Sequence, residues 1–335
     1  MTRRGDTLLF DAPPTVAAWA AAGGKKESEG PLASAFDFVT QDAAFGEQGC
    51  ENWEQAESLL QRKAVELCLR KADIPRSKVD LAFAGDLQAQ CTASNYTMRE
   101  LGIPFAGVYG ACSTMAETLG LAAVFAAGGM AERVLALTSS HFCAAERQFR
   151  TPLEYGSQRA PTAQWTATAS GSTVLGMSGD IQVRHATVGR ITDLGVTDMT
   201  NMGAAMAPAA AQTLLDYFND TATKPEDYDR IYTGDLGAIG TKLLYELLRE
   251  NGIVLRNHED CGLILFDREA QDVHAGGSGC GCSAGVLCGH ILNRMDRGEL
   301  KNILFMATGA LMSTTSSQQG ESIPGIAHLV HVGRG

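Results

Sequence analysis

Two stretches of this chain recur in the same order, and the repetition constrains the fold more than any other feature of the sequence. Residues 77–90 (SKVDLAFAGDLQAQ) and 226–240 (EDYDRIYTGDLGAIG) each contain a short apolar run that leads into Gly-Asp-Leu. Further along, residues 110–139 and 280–309 each contain a Cys-Ser turn, a helix of small residues and an apolar strand. The sequence therefore predicts two copies of one unit.

The spacing between the two copies is constant. From Cys112 to Cys282 is 170 positions, and the same step of 170 positions separates Thr138 from Thr308. In each copy an amphipathic helix comes before the first strand, at residues 53–72 in the first copy. Alternating strands and helices favour a mostly parallel sheet with helices on its faces. We therefore predict an α/β fold in which two duplicated halves stack in five layers.

Length and composition agree with two fused halves of a globular protein. The chain has 335 residues, of which 45% are apolar and 19% are charged. We place the boundary near residue 178, which gives an N-terminal half of residues 1–178 and a C-terminal half of residues 179–335. No run of about 18 apolar residues is present, so no segment is expected to span a membrane.

Charge and cysteine usage exclude some functions. The net charge of −11 argues against nucleic acid as a partner, because the global field repels phosphate groups. The nine cysteines are scattered along the chain, and no secretory signal precedes them. We therefore expect reduced thiols in a cytosol-like compartment, and a protein that is not secreted.

Cys112 lies in VYGACSTMAE (108–117), where an apolar segment turns into the small-residue helix. The free N–H groups and the dipole at the start of a helix favour a thiolate, and this is expected to lower the pKa of the thiol. The position therefore indicates a nucleophile or an anion-binding group. A buried, inert cysteine is the other interpretation.

Several motifs give the chain a resemblance to a known family. They resemble the thiolase and ketoacyl synthase superfamily, and within it a sporulation branch found in spore-forming bacteria. The resemblance covers essentially the whole chain and implies a thiolase-like five-layered αβαβα fold. The motifs that carry it are AGDLQAQC (84–91), VYGACSTM (108–115), TSSHF (138–142), AERQFR (145–150), EYG (154–156) and SIPGIAH (322–328).

The resemblance also implies a function and a setting. A protein of this branch is expected to bind dipicolinic acid, with or without Ca²⁺, in a degenerate thiolase-type pocket and to assist its uptake into the developing spore. The implied partners are dipicolinic acid, membrane proteins of the stage V sporulation A group, and a second copy that pairs through an edge at residues 102–109. The implied location is the sporulating cell, with the soluble protein peripherally associated with the spore inner membrane. Neither a cofactor nor a metal ion of its own is expected.

A condensing enzyme of this superfamily needs more than Cys112. A His and an Asn hold the carbonyl oxygen of the incoming thioester and stabilise the carbanion. The resemblance places them at residues 232–237 (YTGDLG) and 278–283 (SGCGCS), where the sequence has neither. We therefore favour a binding protein. The alternative is a ketoacyl synthase III-like acyltransferase with Cys112 as nucleophile and His141 or His328 as base.

The predicted ligand site surrounds the Cys112 turn and the strand ends near it. Asp86 and Asp235 follow equivalent strands at the carboxyl edge, where α/β sheets bind ligands, although a turn or capping role explains both equally well. His141 either lines the pocket or is structural. The predicted ligand-binding residues are Asp86, Gln90, Cys112, Ser113, Ser139, Ser140, His141 and Arg147.

Two further clusters leave alternatives open. Clustered arginines suit bidentate recognition of a carboxylate, but each could instead pair with a neighbouring glutamate. Of Arg147, Arg150 and Arg159, we select Arg147 as the ligand residue. The segment GGSGCGC (276–282) favours a backbone nest for an anion. A metal clip is the less favoured interpretation, because Cys-x-Cys lacks the usual zinc spacing; it would use Cys280, Cys282 and Cys288.

Overall fold

The computed structural model describes residues 1–148 and 159–335. The strands alternate with helices along most of the chain. They are β1 (Thr2–Arg4), β2 (Thr7–Leu9), β3 (Thr15–Gly23), β4 (Phe38–Val39), β5 (Leu81–Gly85), β6 (Phe105–Gly107), β7 (Val134–Ser140), β8 (Trp165–Thr166), β9 (Ala169–Gly176), β10 (Ile181–Thr187), β11 (Arg230–Thr233), β12 (His258–Asp260), β13 (Gly277–Ser278), β14 (Asn302–Ala310) and β15 (Gly325–Arg334).

The predicted helix at residues 53–72 is confirmed as α2, which Asn52 caps by accepting a hydrogen bond from the Gln55 N–H at 2.9 Å. A π-helical turn, Leu287–Ile291, joins α9 to α10. The helices are α1 (Lys25–Ser28), α2 (Trp53–Lys71), α3 (Thr92–Leu101), α4 (Thr114–Ala127), α5 (Phe142–Glu146), α6 (Met202–Thr221), α7 (Gly237–Glu250), α8 (Cys261–Ile264), α9 (Cys280–Val286), α10 (Leu292–Asp296) and α11 (Thr314–Gln318).

The main sheet repeats one strand order in each half. The first half runs β6-β5-β7-β9-β3, and the second runs β12-β11-β14-β15-β10. In both halves the first three strands are parallel and the fourth is antiparallel to the third. The predicted duplication is therefore confirmed strand by strand.

The two half-sheets meet at their inner edges. β10 pairs with β15 along its length and touches β3 at one position, Gln182 opposite Thr15. The predicted division near residue 178 falls between the end of β9 and the start of β10. As a domain boundary it stays a prediction.

Helices cover and separate the half-sheets. In the centre, α4 contacts β5 and β7 of the first half and β14 and β15 of the second, while α9 packs on β7, β9 and α4. On the outside, α2 packs on β3 and β9, and α6 packs on β14 and β15. These are the five layers that the alternating pattern predicts, and they bring the first turns of α4 and α9 together.

A close backbone approach fixes the position of the Cys112 turn. Residues Ala111–Ser113 form a 3₁₀ turn that leads into α4. A Cβ atom on Gly309 of β14 would lie 2.2 Å from the Gly110 carbonyl oxygen, which no side chain tolerates. Glycine at position 309 therefore lets the second half press directly against the turn that carries Cys112.

The outer edge of the first half is β6, which is the last strand of the sheet order. It lies within the predicted pairing edge, residues 102–109. Pairing with a second copy through this strand stays a prediction. Within residues 1–148 and 159–335, no helix is long and apolar enough to cross a membrane.

Candidate functional site

A cavity of about 630 Å³ opens beside Cys112, between turns of the first half and the end of β14. We call it the Cys112 cavity. Its described lining mixes hydroxyl and amide groups with apolar side chains and includes no Lys, Arg, His, Asp or Glu. The lining residues are Leu87, Ala89, Gln90, Tyr109, Ala111, Cys112, Ala145, Gln148, Thr166, Met202, Ser278, Ala310, Leu311, Met312, Ser313, Thr314 and Thr315.

The Cys112 thiol is buried at the floor of this cavity, 6% exposed. Its Sγ lies 4.0 Å from the Ser278 hydroxyl oxygen. Burial, followed by the nearby charge of Asp235, raises the pKa of the thiol well above its ordinary value. The predicted lowering of this pKa by the helix end is therefore wrong, because burial and the charge of Asp235 raise the pKa instead. The thiol is protonated at neutral pH and is a weak nucleophile.

Asp235 lies directly behind Ser278. Its carboxylate accepts hydrogen bonds from the Ser278 hydroxyl at 3.0 Å, the Gly279 N–H at 2.9 Å and the Thr308 hydroxyl at 2.9 Å. Burial raises the pKa of Asp235 to about 6 in spite of these donors. Asp235 thus ties the start of α9 to β14 and orients the Ser278 hydroxyl, which lies beside the Cys112 thiol.

Asp86 occupies the equivalent place after β5 but does not line the cavity. It accepts hydrogen bonds from the Gln88 N–H at 2.9 Å and from the Ser94 N–H and hydroxyl at 2.8 and 2.7 Å. These contacts order the turn that leads to Gln90, which does line the cavity. Gln90 and Cys91 both have positive φ, 57° and 53°, so this turn is strained and needs such support.

A second buried carboxyl, Glu57 of α2, supports the same turn from the other side. The Gln88 side-chain amide donates to Glu57 Oε2 at 2.7 Å, and the Ser139 hydroxyl donates to Oε1 at 2.8 Å. Burial and the charge of Asp86 raise the pKa of Glu57 to about 8. Gln88 thus bridges two carboxyl groups, and no cationic side chain of residues 1–148 or 159–335 pairs with either of them. Sequence reasoning did not identify Glu57.

The predicted hydroxyl ligands are engaged elsewhere. Ser113 donates to the Gly110 carbonyl at 2.6 Å, Ser139 to Glu57, and Ser140 to the Ala167 carbonyl at 2.7 Å. All three are buried, and none lines the cavity. They hold the ends of β7 and the start of α4 in place around it.

Neither candidate histidine base lines the cavity. His141 is buried, and its Nδ1 accepts the Ala144 N–H at 3.5 Å; His328 Nδ1 accepts the Gly189 N–H at 3.2 Å. Burial lowers the pKa of each to about 4. Both imidazoles are therefore neutral at pH 7, and neither is placed to take a proton from Cys112.

The arginines are used for ion pairs. Arg147 pairs with Glu54 and lies over the Trp53 ring, 5.4 Å from its centre, and it is absent from the cavity lining. Arg159 pairs with Asp272 at 3.3 Å. Arg150 lies outside the described residues. For Arg147, pairing with a glutamate is the arrangement found.

The cysteines of the second-half segment face different backbone groups. Cys280 Sγ donates to the Ser139 carbonyl at 2.9 Å, Cys282 Sγ to the Gly234 carbonyl at 3.8 Å, and Cys288 Sγ to the Ser172 carbonyl at 3.7 Å. Three thiols that point to three separate carbonyls do not converge on one metal ion.

Of the eight predicted ligand residues, the structure places Gln90 and Cys112 on the cavity wall. Sequence reasoning missed Ser278, Tyr109 and Gln148, which also line the cavity. Each lies inside a motif quoted above, so motif membership could have identified these residues. The sequence does not show the direction in which each side chain points.

Comparison with known proteins identifies relatives of the whole chain. Residues 4–333 match the family described as Stage V sporulation protein AD. The Stage V sporulation protein AD of Bacillus subtilis (strain 168) is 46% identical over 328 residues, which cover 97% of this chain and 95% of that protein.

Solved structures with a similar fold are far more distant in sequence. 3-Oxoacyl-[acyl-carrier-protein] synthase III from Aquifex aeolicus VF5 is 13% identical, with a TM-score of 0.59, over 96% of this chain and 99% of that one. Cerulenin-bound OleA from Xanthomonas campestris is 16% identical, with a TM-score of 0.60, over 99% and 100% of the two chains. These likenesses show that the fold is that of the thiolase and ketoacyl synthase group.

Proposed function

This chain belongs to the stage V sporulation protein AD family, and from that membership we propose that it binds dipicolinic acid in the Cys112 cavity. One observation supports the proposal above the others: a condensing-enzyme fold keeps its cavity while the groups around the cysteine no longer suit catalysis. Ser278 and Asp235 lie beside a protonated thiol, and no described imidazole lines the wall.

The cavity wall has the chemistry that a planar aromatic dicarboxylate needs. Gln90 and Tyr109 offer hydrogen-bond donors for carboxylate oxygens, and Met202 and Leu311 offer apolar surface for a ring. The volume of about 630 Å³ is in the usual range for small-molecule sites. With no described cation in the wall, calcium held by the ligand's own carboxylates would offset their charge.

We extend the proposal to the role of the protein in the sporulating cell. The bound acid would be passed into the developing spore, with the protein held peripherally at the spore inner membrane by the stage V sporulation A membrane proteins. A second copy would pair along β6. These assignments follow from family membership, and each needs its own test.

Dipicolinate titrated calorimetrically into the protein is expected to bind, and Tyr109→Phe is expected to weaken binding about 10-fold, because one donor on the wall is lost. Tyr96→Phe is the matched control: it also removes the hydroxyl of an exposed tyrosine, but one that lies on α3 and is absent from the cavity lining. Its dissociation constant should be that of the unchanged protein. An absence of binding, or equal effects of the two variants, would contradict the site.

The second candidate function is acyl transfer through Cys112, which the likeness to ketoacyl synthase III and cerulenin-bound OleA favours. Incubation with a short acyl-CoA or with cerulenin, followed by intact-mass measurement, separates the two functions. We expect no adduct at neutral pH, because the thiol is protonated and no described imidazole lines the cavity beside it. A stable adduct that disappears in Cys112→Ala would overturn the binding-only role.

A further inference from the structure

A row of hydrogen-bonded side chains runs from α7 to a buried carboxyl behind the Cys112 cavity. The hydroxyl of half-buried Tyr245 lies 2.9 Å from His258 Nδ1, and His258 Nε2 lies 2.9 Å from the Thr233 hydroxyl. That hydroxyl lies 2.6 Å from Asp260 Oδ2, and Asp260 is buried. The ligand site described above does not use any of these four residues.

The direction of every hydrogen bond in this row follows from its inner end. An ionised Asp260 can only accept, so the Thr233 hydroxyl donates to it. The Thr233 oxygen then accepts from His258, which must carry its proton on Nε2. Nδ1 is left with a lone pair, so Tyr245 donates to it. The row therefore has one consistent polarity, pointing inward to the carboxylate.

The same four groups form an equally complete row when Asp260 is protonated. Asp260 then donates to Thr233, Thr233 donates to His258 Nε2, and His258 carries its proton on Nδ1 and donates to Tyr245. The two states differ by one proton on Asp260 and by the tautomer of His258. No ion forms on His258 or Thr233 in either state, so within this row the low dielectric of the interior penalises only the ionised Asp260.

Asp260 connects this row to the floor of the Cys112 cavity. Its carboxylate also accepts the Leu236 N–H at 2.9 Å and the Gly237 N–H at 3.0 Å, where the chain turns with a φ of +61° at Gly237. This turn directly follows Asp235, which holds Ser278 at the cavity wall. The charge of Asp260 therefore acts on the residues that shape the wall.

The surroundings of Asp260 favour a titration near neutral pH. Burial and the charge of Asp235 raise the pKa of Asp260 to about 7, and burial lowers the pKa of His258 to about 4. The other titratable groups that face Asp260 are the thiols of Cys261 and Cys282 and the Tyr245 phenol.

The nearby cations are engaged away from Asp260. Arg230 and Arg294 reach Glu259 at 3.1 and 4.0 Å. Glu259 precedes Asp260 in β12 and so points to the other face of the strand.

We propose that Tyr245, His258 and Thr233 form a proton-transfer chain between the protein surface and Asp260. In the inward transfer, water gives a proton to the Tyr245 oxygen, Tyr245 gives its own to His258 Nδ1, His258 gives the Nε2 proton to Thr233, and Thr233 gives its proton to Asp260. Each intermediate group gains and loses one proton. This inference does not depend on which ligand the cavity binds.

The proton-transfer chain has a signature that hydrogen bonds with a purely structural role would not show. His258 changes tautomer with pH while it stays neutral. Long-range ¹H–¹⁵N correlation on ¹⁵N-histidine-labelled protein reads the tautomer directly, and the signal that His258→Gln removes assigns the residue. From pH 8.5 to pH 5.5 we expect His258 to pass from mainly Nε2–H to mainly Nδ1–H, with a midpoint near pH 7.

His328 is an internal control, because the Gly189 N–H donates to its Nδ1 and keeps the proton of the neutral ring on Nε2 from pH 8.5 to pH 5.5. Thr233→Val keeps the side-chain shape but breaks the row, so the His258 tautomer should stop responding to pH; Asp260→Asn should do the same. The proposal is overturned if His258 in the unchanged protein keeps one tautomer, becomes cationic in this range, or still switches in Thr233→Val.

Discussion

Replacing Ala89 with tryptophan is expected to abolish dipicolinate binding, with a loss of affinity of about 100-fold or more. Ala89 lines the Cys112 cavity and is exposed at its mouth, so an indole there would occupy the space that the ligand needs. The protein has no need to repack to accommodate the larger group, because it starts at the surface. Calorimetric titration of the folded variant measures the effect.

Ala12→Trp is the matched control, because Ala12 is also exposed but lies between β2 and β3 and is absent from the cavity lining. It should bind as the unchanged protein does. The thermal midpoints of both variants should stay close to that of the unchanged protein, which separates a blocked cavity from a damaged fold. Undiminished binding by Ala89→Trp would place the ligand somewhere other than the Cys112 cavity.

The duplicated architecture was predictable because its signals are local. Each Gly-Asp-Leu follows its own strand, and each Cys-Ser turn precedes its own helix, so the two copies can be matched without knowing any long-range contact. Strand order then follows from parallel pairing within each copy. The structure repeats that order in the two halves.

The side chains of the site were harder to predict because their environments come from distant segments. Arg147 is a reasonable carboxylate ligand until Glu54, far away in sequence, is found beside it. The pKa of Cys112 is set by burial and by Asp235 of the other half, and neither is written in the residues next to Cys112. The helix-end position alone predicted that the pKa of Cys112 is lowered, whereas it is raised.

Buried carboxyl groups were missed for a related reason. Glu57 is one of several glutamates on an amphipathic helix, and nothing in the local sequence separates it from its exposed neighbours. Its partners, Gln88 and Ser139, are contributed by two other segments. Only the packed structure shows that it is fully enclosed with no cation from the described segments beside it, which makes it the group with the clearest consequence for stability.

The folded protein is expected to lose stability as pH rises from 6.5 to 8. Burial raises the pKa of Glu57 to about 8 and those of Glu27, Glu117 and Asp260 to about 7, so in this range the folded state binds more protons than the unfolded chain. The stabilisation by each protonated acid is complete below its unfolded pKa and is lost as pH rises through its folded pKa. Each group contributes a slope of about 1.4 kcal/mol per pH unit between its unfolded and its folded pKa, and the slope falls to zero above the folded pKa.

The buried histidines act in the opposite direction but in a different range. Burial lowers the pKa values of His141, His258 and His328 to about 4, so the unfolded chain binds the extra protons, and only below its own histidine pKa of about 6.5. Their compensation fades above pH 6.5, as the unfolded histidines lose their protons, and is small near pH 7.5, where the carboxyl groups dominate the slope. Urea unfolding at half-unit steps from pH 6.5 to 8 measures it.

Glu57→Gln is expected to flatten this pH dependence. The amide keeps the size of the carboxyl group and can still accept a hydrogen bond from Ser139, but it does not titrate. The free energy of unfolding of the variant should therefore fall less steeply toward pH 8, by about the slope that one carboxyl group contributes. Glu132→Gln is the control, since that side chain is 86% exposed, and its profile should follow the unchanged protein. A free energy of unfolding that is constant or rises from pH 6.5 to 8 would contradict the assignment of the pH dependence to buried carboxyl groups. Equal slopes in Glu57→Gln and the unchanged protein would show that Glu57 does not contribute to it.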